Sequence, residues 1–164
     1  DDYAFSGTVS GAGKVVQVVN VMDGAVATGT TTTPGDDSIP QNTEGDQYMS
    51  LAITPTSSSN KLRIDVVFCC AHTAASSTES VALHQDSTAG ALASVHHFQD
   101  TTTPSTQQVI SFIHYMTAGT VSATTFKIRA GSSNGGTLTF NGAGGSQTHG
   151  GVMASSITIT EIQV

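Results

Sequence analysis

The sequence has little charge, no tryptophan and no long apolar run. Charged residues make up 10% of the 164 positions, against about 25% in an average soluble protein. Only five residues are Lys or Arg, and the net charge is −7. Without a basic stripe, the chain is not expected to bind nucleic acid or dock on an anionic membrane. Because no stretch approaches the length of a membrane-spanning segment, we expect no membrane insertion.

Cysteine is also scarce. The two cysteines, Cys69 and Cys70, are adjacent, so in a strand their side chains point to opposite faces. A disulfide between neighbours needs a strained peptide, which favours two buried thiols and folding in a reducing cytoplasm. The chain opens on Asp1 without a signal peptide, which predicts a processed chain or a fragment of a longer one.

The frequent residues are Ser, Thr and Gly, and apolar residues follow period two almost everywhere. This pattern predicts an all-β protein without a substantial helix, an antiparallel β-sandwich or jelly roll of about nine strands. The predicted strands are Lys14–Met22, Gln47–Thr54, Lys61–His72, Glu79–Gln85, Leu92–Gln99, Gln107–Thr117, Ala123–Ala130, Thr137–Asn141 and Ser155–Val164.

Several of these strands are apolar on both faces, which a sandwich core alone does not explain. The strand 61–72 begins with charges on one face and ends apolar on both, and residues 109–116 are apolar on both faces. Two-sided apolar strands in a protein without helices indicate a subunit interface. In the last strand the isoleucines change parity, which predicts a β-bulge near Thr160 and Glu161. The residues predicted for the interface are Val67, Cys69, Val109, Ile113 and Tyr115.

Four segments resemble a known family. GKVVQVVN, SLAITPTSSSNKLRIDVVF, ATTFKIRAG and SSITITEIQV are similar in order and wording to the C-terminal head domains of bacteriophage tail fibres and related virion proteins. AFSGTVSGAG also looks like the segments found where a fibre shaft meets such a head. The resemblance covers most of the chain from Phe5 to Val164, and its motifs are structural.

The resemblance implies a virion protein, assembled in the host cytoplasm, that forms a homotrimer and attaches to a host surface. Residues 1–13 would connect shaft to head and contact other virion proteins, and residues 14–164 would form a single head domain. Two alternatives stay open. One is a capsid decoration or head-fibre protein that stabilises the virion. The other is a standalone carbohydrate-binding or carbohydrate-active β-sandwich.

The long polar loops are the candidates for host contact. Residues 23–46 are rich in Thr, Gly and Asp without periodicity, and a loop of this length is usually functional or disordered. Residues 142–151, GAGGSQTHGG, are a second flexible stretch. The ligand would be a glycan or a protein of the host surface. The predicted contact residues are Asp36, Asp37, Asn42, Glu44, Asp46, His84, Asp86, Gln147 and His149.

Catalytic and metal chemistry have weaker signals. His84, His96 and His114 could surround a metal if their strands were neighbours, and the acidic loop 36–46 could hold calcium. Half-buried histidines and solvated turn carboxylates explain both patterns more simply. No nucleophile elbow, phosphate loop or dinucleotide fingerprint is present. We therefore expect no enzyme, no metal and no cofactor.

Overall fold

The computed structural model of the chain describes residues 13–99 and 103–164. Within these ranges it contains twelve strands and a single three-residue 3-10 helix, His149–Gly151, and no helix there could cross a membrane. The strands are β1 (Lys14–Asp23), β2 (Ala27–Gly29), β3 (Asp46–Ile53), β4 (Lys61–His72), β5 (Thr78–Gln85), β6 (Ala93–Phe98), β7 (Gln108–Thr117), β8 (Thr124–Ser132), β9 (Leu138–Phe140), β10 (Gly142–Ala143), β11 (Ser146–Gln147) and β12 (Ser155–Gln163).

The prediction of an antiparallel β-sandwich is confirmed. All nine predicted strands are present, and their ends lie within two residues of the predicted ones. The three strands that were missed, β2, β10 and β11, have two or three residues each. The predicted connecting segment, residues 1–13, lies outside the described residues except for Gly13.

Two antiparallel sheets face each other. The first sheet has the order β1-β12-β4-β9-β2, and β7 also pairs with β4. The second sheet has the order β3-β8-β5-β6. In both sheets the strands alternate between core and outer face, as their sequences require. Between the sheets lies a core whose largest side chains are Phe68, Phe126, Phe140, Leu62, Ile64, Leu83, Ile128, Leu138, Ile157 and Ile159.

The predicted bulge in the last strand is wrong. β12 pairs with β4 without interruption from Ser156 to Ile162, so Ile162 points outward while Ile159 points into the core. Glu161 keeps an inward position because the loop 54–60 supplies hydrogen-bond donors to its carboxylate. The irregularity lies in the partner strand, where the register shifts between Val15 and Gln17 of β1.

We name the two ends of the sandwich after one buried residue at each, Glu161 and His72. At the Glu161 end lie the turn 54–60 and the β5–β6 turn, whose Asp86 carboxylate accepts bonds from Thr124 and Thr125. At the His72 end lie β9, β10, β11 and the 3-10 helix. Loops at these two ends are therefore separated by the length of the strands.

Candidate functional site

The long segment between β2 and β3 lies across the outer face of the second sheet. We call residues 30–45 the outer loop. At its start Thr33 N donates to Ser132 O over 3.0 Å, and at its end Arg129 donates to the carbonyls of Glu44 and Gly45. Gly131 permits this contact, since a Cβ at that position would lie 2.5 Å from the carbonyl oxygen of Thr31. The outer loop is therefore anchored to the second sheet at both of its ends.

The tip of the outer loop is fixed to the β5–β6 turn. Asn42 N donates to Ala89 O over 2.7 Å, and Ala91 N donates to Pro40 O over 2.9 Å. The side-chain amide of Asn42 also reaches the carbonyls of residues 87 and 88. The outer loop and the β5–β6 turn thus form a continuous surface.

A groove opens between the outer loop and β6. It consists of two adjoining hollows of about 400 and 300 Å³ that share Asp36, Ser38, Pro40 and Ser94. Their sizes lie at the lower end of the range for small-ligand sites. The remaining lining residues are Pro34, Gly35, Asp37, Ile39, Thr78, Ser80, Ala91, Leu92, Ala93 and His96.

Polar groups converge on this groove. Asp36 Oδ1 accepts bonds from the amide, over 2.9 Å, and the hydroxyl of Ser38. These hydrogen bonds lower the pKa of Asp36 and keep its carboxylate charged. Ser94 and His96 lie on the outward face of β6, opposite Ala82 and Ser80 of β5. The groove therefore offers a carboxylate, hydroxyls and an imidazole along one line.

His84 lies beneath the outer loop rather than in the groove. Its side chain is buried, and neither ring nitrogen has a hydrogen-bond partner. Burial lowers the pKa of His84, and the cations Arg129 and Lys127 lower it further against the opposing effect of Glu44. The imidazole is therefore neutral near pH 7 and supports the loop by packing.

The other predicted contact residues are spread over the molecule. The Glu44 carboxylate accepts a bond from Gln41 N within the outer loop, and the Asp46 carboxylate, at the start of β3, accepts bonds from Thr31. Asp86 lies at the Glu161 end, as described above. Gln147, which donates to Gly24 O, and His149 lie at the His72 end. Of the predicted set, Asp36 and Asp37 line the groove.

The outer face of the first sheet is uncovered and partly apolar. Val109, Ile113 and Tyr115 of the edge strand β7 are 65%, 53% and 57% exposed. We call this surface, together with Val67 of β4, the apolar face. A hollow of about 480 Å³ lies between Asp65, Val67, Ser111 and Ile113. Cys69 has the same parity but is already covered within the chain, where its thiol contacts Ala154 O at 3.7 Å.

The charges on the apolar face are paired. Arg63 bonds Asp65 over 2.7 Å, and its guanidinium lies 6.0 Å from the centre of the Tyr115 ring. A charged pair that is already satisfied can be covered by a partner at a lower desolvation cost than a lone charge. This face is therefore suited to burial against another protein surface.

A buried polar cluster at the His72 end contains the residue types of a hydrolase triad. Ser77 donates to Glu79 Oε1 over 2.5 Å, and both lie on the Nδ1 side of His72, at 3.2 and 3.8 Å. A triad needs serine and carboxylate on opposite ring nitrogens. All three side chains are fully buried. The cluster therefore has the geometry of a buried hydrogen-bond network that stabilises the fold.

Within residues 13–99 and 103–164 no group of three metal-ligating side chains comes together. The histidines considered for a metal are separated because His84 and His96 belong to the second sheet and His114 to the first. The two thiols are free and buried, as predicted. Burial raises the pKa of Cys70 to about 12, so this thiol stays protonated in the core.

The comparisons with known proteins concern the fold. No family model and no curated protein matches the chain. Among solved structures, Eiger TNF from S. frugiperda superposes with a TM-score of 0.50 at 10% identity, over 88% of this chain and 92% of that one. The chain has a jelly-roll-like β-sandwich fold. At this identity the likeness does not extend to ligands or partners.

Two further similarities are weaker. Dimeric latent PorU from Porphyromonas gingivalis gives a TM-score of 0.46 at 8% identity, over 98% of this chain and 14% of that one. Infectious bursal disease virus strain Gt gives 0.41 at 12% identity, over 90% and 38%. In both cases this chain spans well under half of the longer protein.

Sequence reasoning missed most of the groove. The outward positions of β6, Ser94 and His96, alternate with Ala93 and Val95, which was a detectable signal for one polar strand face. Pro34 and Pro40 bracket the part of the outer loop that forms the opposite wall. The outer loop folds back over β5 through contacts between residues that are distant in the sequence. No local sequence pattern encodes such contacts.

Proposed function

We propose that the chain is the trimeric head of a bacteriophage fibre, which attaches the virion to a host cell. The proposal is supported by the sequence resemblance, by the jelly-roll-like fold, and above all by the contrast between the two outer faces of the sandwich. One face is uncovered and partly apolar, while the other carries the outer loop and a polar groove. Such a contrast supports an assembly surface on one face and a recognition surface on the other.

The apolar face supports the assembly half of the proposal. Its exposed side chains lie in adjacent positions on β7 and β4, where Ile113 pairs with Asp65 and Tyr115 with Arg63. Burying such side chains favours association, and the surplus over the lost freedom of motion and the polar desolvation appears as affinity. Homo-oligomers with closed symmetry are the usual outcome when one chain carries such a surface.

The recognition half is supported by the outer loop. A fixed, polar surface binds with less loss of conformational freedom than a disordered loop. Attachment is proposed here as binding without catalysis, and the buried triad-like cluster has no solvent-accessible nucleophile that would favour an enzyme.

Assembly is tested first by light scattering on the purified protein. We expect a molar mass of about 50 kDa, three times the 16.7 kDa of one chain. Ile113→Asp should dissociate the trimer while leaving the fold intact by circular dichroism, because the added charge would be buried in the interface. Val121→Asp is the matched control, since Val121 is 58% exposed but lies in the β7–β8 turn.

A wild-type protein that is monomeric at micromolar concentration contradicts the trimer. If Ile113→Asp stays trimeric, Ile113 is outside the interface. Attachment is tested separately, by measuring adhesion of the labelled protein to a panel of bacterial cells, and the absence of adhesion to every strain would count against a receptor-binding head.

A further inference from the structure

We propose that the groove between the outer loop and β6 binds a neutral oligosaccharide. This rests on the attachment function proposed above and names the class of ligand. The observations that carry it are the shape of the groove, the kinds of polar group along it, the absence of a cation from its lining, and an exposed aromatic ring at one end.

The shape fits an extended ligand. The two hollows share four residues and therefore form one channel, which runs from Ala91 and Leu92 to Thr78 and His96. One wall is the outer loop, and the other is β6 with the segment before it. Backbone hydrogen bonds of Thr33 and Pro40 anchor the outer-loop wall on either side of residues 34–39, and β6 is held by its pairing with β5.

The polar groups match sugar hydroxyls. A hydroxyl both donates and accepts, so it pairs with an acceptor such as a carboxylate and with donors such as serine. Both hydrogen bonds to Asp36 use Oδ1, which leaves Oδ2 able to accept from a ligand. Ser38, Ser94 and His96 add groups that can donate or accept beside it.

The charges in the lining disfavour an anionic ligand. The lining contains two aspartates and neither Lys nor Arg. Lys127 donates to Asp86 O and Arg129 to the carbonyls of the outer loop, so the two cations of the second sheet are engaged elsewhere. Sialic acids, sulfated sugars and phosphates would meet Asp36 and Asp37 without a compensating cation.

An apolar platform lies at the end of the groove marked by His96. Phe98 shares the outward face of β6 with His96, pairs with Thr78, and is 57% exposed. The C–H face of a sugar ring can pack on such an aromatic ring while its hydroxyls point into the groove. Pro34, Pro40 and Ile39 give further apolar contacts along the wall.

The test is direct binding of the wild-type protein to neutral oligosaccharides of glucose, galactose and mannose, on a glycan array and by saturation-transfer NMR. Sialylated and sulfated sugars are measured in parallel. We expect binding to at least one neutral series and none to the anionic ones. For the series that binds, Asp36→Asn and Phe98→Ala should each weaken affinity by about tenfold, the loss expected for one good polar or stacking contact.

Two matched controls should bind as the wild type does. Asp23→Asn changes a carboxylate that accepts the amide two residues on, as Asp36 does, but at the far end of β1. Val121→Ala truncates an apolar side chain about as exposed as Phe98.

The proposal is overturned if no neutral sugar binds, if anionic sugars bind better, or if both groove variants bind as the wild type does. Adhesion to cells separates this result from the attachment function. If the wild type and both groove variants adhere to cells equally well, the groove is not the attachment site, and the fibre-head proposal still stands.

Discussion

At the residue scale, Glu161 is a fully buried carboxylate that is held by several hydrogen bonds. Its carboxylate accepts bonds from Gln17 Nε2 at 2.5 Å, from Asn60 Nδ2 at 2.6 Å and from the amide and hydroxyl of Thr56 at 2.8 Å. Burial opposes ionisation, but these bonds outweigh it and lower the pKa of Glu161 to about 2. The residue ties β12 to β1 and to the turn before β4.

Removing this carboxylate should destabilise the protein. Glu161→Ala leaves several buried donors unpaired, and we expect a loss of about 2–3 kcal/mol in the free energy of unfolding at pH 7. Glu161→Gln keeps an acceptor for Thr56 and Asn60 and should lose about 1 kcal/mol. Urea unfolding measures both, and an alanine variant as stable as the wild type contradicts this role.

The pH dependence follows from the same group. Its pKa is below the ordinary 4.5 in the folded state, so its stabilising effect is complete above about pH 4.5 and is lost as the pH falls towards 2. The difference in stability between wild type and Glu161→Gln should shrink over this range. A constant difference from pH 6 to pH 2.5 would show that the charge is not what stabilises the fold.

His84 should make the folded state less stable in acid, whereas a histidine paired with a carboxylate would make it more stable. Because its folded-state pKa lies below the ordinary 6.5, stability is lost as the pH falls below about 6.5, where the unfolded chain takes up a proton more readily. His84→Leu removes an imidazole without hydrogen bonds and should be neutral or stabilising. Thermal unfolding at pH 7.5 and pH 5 should show a smaller acid loss for this variant.

His114 is the control for this prediction, since burial lowers its pKa too. It lies in β7, away from Arg129, Lys127 and Glu44, which face His84. His84→Leu should also protect the outer loop from cleavage at pH 5, whereas His114→Leu should not. If both variants protect the outer loop from cleavage equally, protonation of His84 is not what loosens the loop.

At the scale of elements, the strands were predictable and the outer loop was not. Alternation in the strand 61–72 places Leu62, Ile64 and Val66 in the core and was read correctly from sequence. The change of parity in the last strand predicts a bulge, and this prediction is wrong. Sequence alone does not show that Thr56 and Asn60 donate hydrogen bonds to a buried Glu161. Short strands such as β2 form only because β9 lies beside them.

The candidate site depended more on long-range contacts than the fold did. Asp36 and Asp37 could be proposed from their place in a long polar segment. Ser94 and His96 were visible as a polar strand face, but their place opposite the outer loop was not, because nothing local indicates that residues 34–40 return to β6. The exposed residues of β7 were predicted because a second apolar face is visible within a single strand.

The contact between the outer loop and β8 can be tested at Gly131, where the two elements meet. A side chain at Gly131 would press on the carbonyl of Thr31 at 2.5 Å and on the hydroxyl of Thr33 at 2.7 Å. Gly131→Ala should cost about 1–3 kcal/mol and expose residues 30–45 to limited proteolysis. Gly135→Ala is the control, because a Cβ there meets nothing within 4 Å. Equal cleavage of both variants would mean that the loop is not held at this point.

At the scale of the whole molecule, the proposed assembly surface and the groove lie on opposite faces of the sandwich. The apolar face belongs to the outer side of the first sheet, and the groove to the outer side of the second. A trimer formed through the first sheets would direct three grooves outward at once. Weak single sites would then combine, since linked binding events raise the apparent affinity by factors of about 10²–10⁴.

The last prediction separates affinity from avidity. Monomeric Ile113→Asp should bind a soluble neutral oligosaccharide as the wild type does, because Ile113 is remote from the groove. On a surface densely coated with the same sugar it should bind at least about 100-fold more weakly, because only one groove engages. Calorimetry measures the first quantity and surface plasmon resonance the second. Equal loss in both would place Ile113 in the folding of the groove, and no loss in either would mean that trimer formation does not serve binding.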